Sequence, residues 1–212
     1  MLDVHSFTVG PVQENCYIVG PAGSTHAVLI DPGEEAPRLI DAIDRLGLTI
    51  DAILLTHTHF DHIGAVAPLA AHTGAPVWCP ELEREVLADI NAYVPWPGFG
   101  PFESYDADHL ISGGETLHLA GLDIDVIFTP GHSPGHLTFS IPADHALFAG
   151  DVLFAGSIGR TDLPGGHLPT LLESIALLLD RHPDEATVHP GHMGLTTLGA
   201  ERATNPFLRE LA

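Results

Sequence analysis

Thr56-His57-Thr58-His59-Phe60-Asp61-His62 is the stretch on which the reading of this chain turns. It follows Ile53-Leu54-Leu55, an apolar run that reads as the end of a buried strand. Residues two apart on an extended chain point to the same side, so His57 and His59 can converge on one ion. Asp61 suits a helix N-cap, and Ile63, Val66 and Leu69 follow at helical spacing. The chain should therefore turn at Asp61 and aim Asp61 and His62 at a neighbouring ion. The chain holds 15 histidines, so some are ordinary surface or core residues, but four ligand types within six residues at one junction are not read that way. Further along, Gly131-His132, Gly150-Asp151 and Gly191-His192 repeat a glycine before a ligand type. Those glycines suit tight turns and close backbone approach, or simply end strands. Together the five imidazoles and two carboxylates suit a pair of metal ions, and such N and O donors without cysteine fit zinc, iron or manganese alike.

Bulk properties narrow the class. A chain of 212 residues, 45% apolar, is comfortable as one globular domain with a substantial core. No run approaches the ~18 apolar residues of a membrane span. The N-terminus, with Asp3 and no basic segment, does not read as a signal peptide, so a cytoplasmic location is expected. Seven basic against 28 acidic residues, a net charge of -21, argue against nucleic acid as a partner, because phosphate backbones are held by clustered Lys and Arg. Cys16 and Cys79 lack a CxxC partner and read as reduced, packed thiols.

Along the chain, strands are expected at Leu2–Val9, Cys16–Val19, Ala27–Ile30, Ile50–Leu55, Pro76–Cys79, Thr116–Leu119, Asp123–Phe128, His136–Ile141, Ala146–Ala149 and Ala186–Val188. Helices are expected at Ala36–Leu46, Asp61–His72, Glu81–Asn91 and Leu171–Leu179. Between Tyr93 and Tyr105 lies an aperiodic loop rich in Pro, Gly and aromatic residues, suited to wall a pocket, to pack a satellite core or to make a dimer contact. The ligand types recur at the C-terminal ends of strands, which points to a layered α/β protein. Periodicity alone leaves a doubly wound sheet open.

THTHFDH, TPGH around His132, AGD around Asp151 and HPGH around His192 resemble the metallo-β-lactamase superfamily in order and spacing along nearly the whole chain. Phe154-Ala155-Gly156-Ser157-Ile158-Gly159-Arg160-Thr161-Asp162, with Thr196-Thr197-Leu198-Gly199 and Asn205-Pro206-Phe207, is similar to the short, glyoxalase II-like (hydroxyacylglutathione hydrolase-like) members. That resemblance implies an αββα sandwich of two mixed sheets with helices outside and the site along one edge. It implies that His57, His59 and His132 bind one divalent ion, that Asp61, His62 and His192 bind a second, and that Asp151 bridges them. Zinc is the expected metal, with iron or manganese as alternatives. The implied reaction is hydrolysis of a small-molecule thioester by a hydroxide shared between the ions, with Asp61 also orienting it. Long glyoxalase II proteins add a C-terminal helical domain that contacts glutathione. Here the residues after His192 read as one helix at most, Ala200–Leu211, so a single domain over 1–212 is expected. The carrier thiol stays open between glutathione, another small thiol and coenzyme A.

Weaker signals surround this set. Arg160 is a candidate for a substrate carboxylate, with Asp162 as its competing partner. His136 and His189 read as supporting residues, and histidines 5, 26, 72, 109, 118, 145, 167 and 182 as surface residues. The Gly159–Asp162 segment is also similar to persulfide dioxygenases, which use one iron at positions matching His57, His132 and Asp151. A lactonase and a non-catalytic metal scaffold complete the alternatives. The β-lactamase branch usually alters this ligand set and is exported.

Overall fold

The computed structural model describes residues 1–209. Alternation of buried side chains along the strands dictates its layers. On β2 (Glu14–Pro21), β3 (His26–Ile30) and β4 (Thr49–Leu54), which follow β1 (Leu2–Val9), both faces are apolar. Tyr17, Val19, Val28, Ile30, Ala52 and Leu54 face one way, and Cys16, Ile18, Ala27, Leu29 and Ile53 the other. A strand buried on both sides needs a layer on each.

Two mixed six-stranded sheets result. The first has the order β1-β2-β3-β4-β5-β6, with β5 at Val77–Pro80 and β6 at His109–Ile111; β3 through β6 run parallel. The second uses β7 (Thr116–Leu119), β8 (Leu122–Phe128), β9 (Leu137–Ile141) and β10 (Ala146–Gly150). A small hairpin, β11 (Leu153–Phe154) and β12 (Ser157–Ile158), stands apart. Then β13 (Thr187–Pro190) and β14 (Thr196–Thr197) complete the second sheet in the order β14-β13-β10-β9-β8-β7. Ile124, Val126, Phe139 and Phe148 meet the first sheet's inner face.

Helices cover the outer faces. α1 (Ala36–Leu46) is stopped by Gly47 in a left-handed conformation and packs Leu39 and Ile43 on the first sheet. The long α6 (Leu168–Arg181) buries Leu171, Ile175 and Leu178 against Leu147, Ala149 and Val188 of the second. This is the expected αββα arrangement, and no helix among the described residues is long and apolar enough to cross a membrane.

Three local expectations need correction. The helix expected over Asp61–His72 is two pieces, α2 (Phe60–Ile63) and α3 (Val66–Thr73), because the Ala65 N–H donates to the Pro32 carbonyl at 3.0 Å and leaves the helical ladder. Asp61 does not cap it; His59 holds the N-cap position and Asp61 lies in the first turn. The helix expected over Glu81–Asn91 is a 3-10 turn followed by α4 (Arg84–Ala88) and α5 (Ile90–Tyr93), broken where the Ile90 N–H bonds the Ser104 hydroxyl at 3.1 Å. At the C-terminal side, α7 (Leu198–Thr204) precedes a 3-10 turn at Pro206–Leu208. The end of the expected Ala200–Leu211 helix, at 210–211, lies outside the described residues.

Candidate metal centre

The loops after β4, β8, β10 and β13 meet at one edge of the sandwich and bring all seven candidate residues together. His57 Nε2 lies 3.1 Å from His59 Nδ1, which lies 2.8 Å from His132 Nε2. Beside them His192 Nε2 is 3.3 Å from Asp61 Oδ2, with His62 Nε2 at 4.0 Å from the same oxygen. Asp151 stands between the two groups. Its Oδ2 is 3.4 Å from His132 Nε2 and 3.5 Å from His192 Nε2, and its Oδ1 is 3.4 Å from His62 Nε2.

What aims these rings is a set of hydrogen bonds behind them. His62 Nδ1 donates to Asp31 Oδ2 at 3.0 Å, His132 Nδ1 to the Arg160 carbonyl at 2.8 Å, and His192 Nδ1 to the Gln13 carbonyl at 3.2 Å. His57 Nδ1 donates to Thr56 Oγ1 at 3.0 Å, and that hydroxyl donates onward to Asp31 Oδ2 at 2.6 Å. With Nδ1 protonated, each of these rings turns an Nε2 lone pair inward. Three nitrogens then converge in the first group where at most one proton can sit, which is repulsive unless a cation lies among them. His62 Nε2 and Asp151 Oδ1 are buried without a hydrogen-bond partner, a costly state that a cation would relieve. The donor set therefore fits divalent metal, and a bonded outer nitrogen is the usual support of a ligating histidine.

Electrostatics agree. Burial, then the neighbouring imidazoles, pushes His57 well below its ordinary pKa and keeps it neutral. Burial alone would raise the Asp151 carboxyl, but His62 and His132 outweigh it and hold it well below the usual carboxylate range. Asp151 thus stands as an anion beside the neutral His57, and a carboxylate at that point is a donor a divalent cation would take.

Three acids escaped the sequence reading. Asp31, buried at the end of β3, accepts the Thr56 N–H at 2.7 Å as well as the two bonds above. Buried Glu83 accepts the Thr58 N–H at 2.7 Å and hydroxyl at 2.9 Å through one oxygen, and the Gly135 N–H at 2.7 Å and the Ser133 hydroxyl through the other. It ties the loop carrying His57 and His59 to the loop carrying His132. Glu14, 3.8 Å from His62 Nδ1, has both oxygens buried without partners, and burial raises its pKa well above the carboxylate range. An acidic residue ending an apolar strand at Ile30-Asp31-Pro32 was a usable signal. Nothing distinguishes Glu83 from Glu81 and Glu85.

His136 supports the centre without entering it. Its ring stacks on His57 with centroids 4.9 Å apart, its Nε2 accepts the Asp151 N–H at 3.1 Å, and its Nδ1 meets Thr129 Oγ1 at 3.1 Å. His189 is a buried core residue stacked on Phe148. The eight other histidines are exposed or half-buried. Gly150 is required twice over. Its φ is +46°, and a Cβ there would fall 2.7 Å from His136 Nε2.

A cavity of about 360 Å³ opens onto the centre, walled by Trp96, Phe154, Ile158, Leu163 and Met193. The Tyr93–Tyr105 loop does both jobs open to it: Pro95 and Trp96 wall this cavity, while Phe99 and Phe102 pack on Phe60. Arg160 also lines it, but its guanidinium is paired with Asp162 at 2.7 and 2.8 Å and lies over Trp96.

Comparison with known proteins agrees with this geometry. The profile of the Metallo-beta-lactamase superfamily matches residues 9–192. Hydroxyacylglutathione hydrolase GloC of Haemophilus influenzae is 36% identical over 220 residues, 98% of each chain. The crystal structure of the BLEG-1 B3 metallo-beta-lactamase superposes with a TM-score of 0.91 at 40% identity, covering 99% of this chain and 100% of that one. TTHA1623 in a di-iron-bound form does so at 0.86 and 42%, covering 97% and 100%. The chain belongs to the metallo-beta-lactamase superfamily and is a metallo-hydrolase of that fold.

Proposed function

We propose that the protein is a dinuclear hydrolase of small-molecule thioesters, with His57, His59 and His132 holding one divalent cation, Asp61, His62 and His192 the other, and Asp151 shared between them. The observation that carries this reading is the placement of Asp151, within 3.4–3.5 Å of nitrogens from both groups. Two cations held there would supply a water acidic enough to ionise near neutral pH and a Lewis acid for a carbonyl. The chain does the rest. Asp61 lines the cavity, so its carboxylate can accept a hydrogen bond from the attacking water and aim it. Phe154, Ile158 and Leu163 restrict bulk water around the acyl carbon. A thiolate leaves without a strong general acid, which matches a wall that offers none beyond the seven residues and Arg160. Asp162 occupies the Nε/Nη2 edge of Arg160, and the remaining Nη1/Nη2 edge is free to meet a substrate carboxylate. Likeness to GloC supports the thioester, and likeness to a di-iron-bound protein leaves iron beside zinc and manganese as the native metal.

Likeness to BLEG-1 at 40% identity favours one second reading, hydrolysis of a β-lactam amide by the same centre. The deciding experiment is thiol release from S-lactoylglutathione, run beside a β-lactam and a persulfide oxygen-uptake assay, with metal counted on the same sample. Two metals per chain and thiol release that disappears when the metal is removed are expected. Turnover of the β-lactam alone would establish the second reading, and oxygen uptake with one iron would replace both.

A further inference from the structure

A second cavity, about 540 Å³, lies beside the first and shares His59, Phe60, Pro95 and Leu163 with it. Its far wall is apolar: Leu82, Val86, Ile90, Tyr93, Val94 and Pro134. Apart from His59 at the shared end and the Tyr93 hydroxyl, its polar side chains, Thr58, Glu83 and Ser133, are bonded to one another. A hydroxyl or carboxylate entering this space would give up water for little in return, whereas a hydrocarbon chain would not. Leu82 and Tyr93, 69% and 51% exposed, flank an open mouth, so this is a reachable space and not a packing defect.

Charge gives little support to the opposite strategy, recognition through the carrier. All seven basic residues are arginines, and Arg160, already paired with Asp162, is the one that lines either cavity among the described residues. On a chain of net charge -21, a carrier bearing several phosphates or carboxylates meets repulsion without a cationic clamp.

Resting on the thioesterase reading, we propose that this cavity is the acyl subsite and that the preferred substrates are thioesters of medium-length, unbranched apolar acyl groups on a carrier of low charge. The carbonyl sits at the metal centre, and the chain runs past Phe60 and His59 between α4 and the Tyr93–Pro95 segment.

The test is a series of N-acetylcysteamine thioesters, acetyl through decanoyl, on the metal-loaded enzyme. In parallel, calorimetry measures octanoate and acetate binding to the same protein. Expected is a rise in kcat/KM of about three- to fourfold per methylene until the cavity is full. Octanoate should bind far more tightly than acetate. Val86→Trp, at a half-buried position, and Ala92→Phe, on the exposed rim, should each collapse the octanoyl-to-acetyl ratio and weaken octanoate. Turnover that is flat with chain length, with octanoate no tighter than acetate, would overturn the subsite and leave the hydrolase standing. If no thioester turns over while octanoate binds and Val86→Trp abolishes that binding, the apolar-chain site stands and the thioesterase reading falls. Failure of both readouts overturns both.

Discussion

The two halves of the centre are built differently. The group of His57, His59 and His132 is all nitrogen, with His57 and His132 buried and aimed by Thr56 and by the Arg160 carbonyl. The group of Asp61, His62 and His192 mixes oxygen with nitrogen and, although His62 is buried, reaches the surface through His192, 21% exposed, and Asp61, 13% exposed. His192 is oriented by a single carbonyl, that of Gln13, in the turn between β1 and β2 where Gln13 takes a left-handed φ of 59°. With two of its three ligands buried, the first group is the more fully organised before a cation arrives; the second has one buried ligand, His62, held by Asp31, and two that reach the surface. If each group holds a cation, the first should hold it more tightly than the second.

Removing what the halves share should have the largest effect. Asp151→Ala is expected to lower activity by about 10³-fold or more and to reduce bound metal at both positions. Metal counting on the purified variant checks this, and a fully metallated, active protein would exclude the shared role. Next, His192→Ala should yield one metal per chain and His57→Ala fewer than one, with stepwise chelation of the native protein showing a labile and a resistant cation. Equal lability would abolish the distinction between the halves. Asp31→Asn touches both through Thr56 and His62, and should cost roughly 10–100-fold in metal affinity with the fold intact. A competition titration against a coloured chelator reads it.

The smallest effect lies away from the centre. Burial holds His189 at a pKa of about 4, below the ordinary 6.5, so the unfolded chain takes up the proton more readily than the folded one. Its neutral form therefore contributes full stability above about pH 6.5, and that contribution falls as pH drops toward 4, by roughly 3 kcal/mol at most. His189→Phe keeps the stacking on Phe148 and should flatten that limb of a denaturation–pH profile, leaving metal content unchanged.

The strand ends and the clustering of the seven candidate residues were legible because ligand chemistry restricts residue type and because glycines punctuate each turn. The αββα sandwich came only with the resemblance that the motifs carry, but a layered α/β protein was legible from ligand types recurring at strand ends. What supports the centre was not. Asp31 and Glu83 are two acids among 28, and their importance comes from donors that the fold brings in from other loops. The broken helices were hidden for the same reason. Ala65 and Ile90 leave the ladder for partners at Pro32 and Ser104, far along the chain. β6 follows a stretch without period and exists because it pairs with β5.

Glu83 has a consequence for how affinity and folding are related. Two of its four donors are main-chain N–H groups, at Thr58 and Gly135, so the spacing of the two ligand loops is riveted by backbone and not by the imidazoles they carry. In small zinc modules the ion itself assembles the chain, and binding energy is folding energy. Here the loops are already joined when the ion arrives. The metal-free protein should keep its native side-chain packing, and the cell is then free to choose the ion by supply without risking the fold.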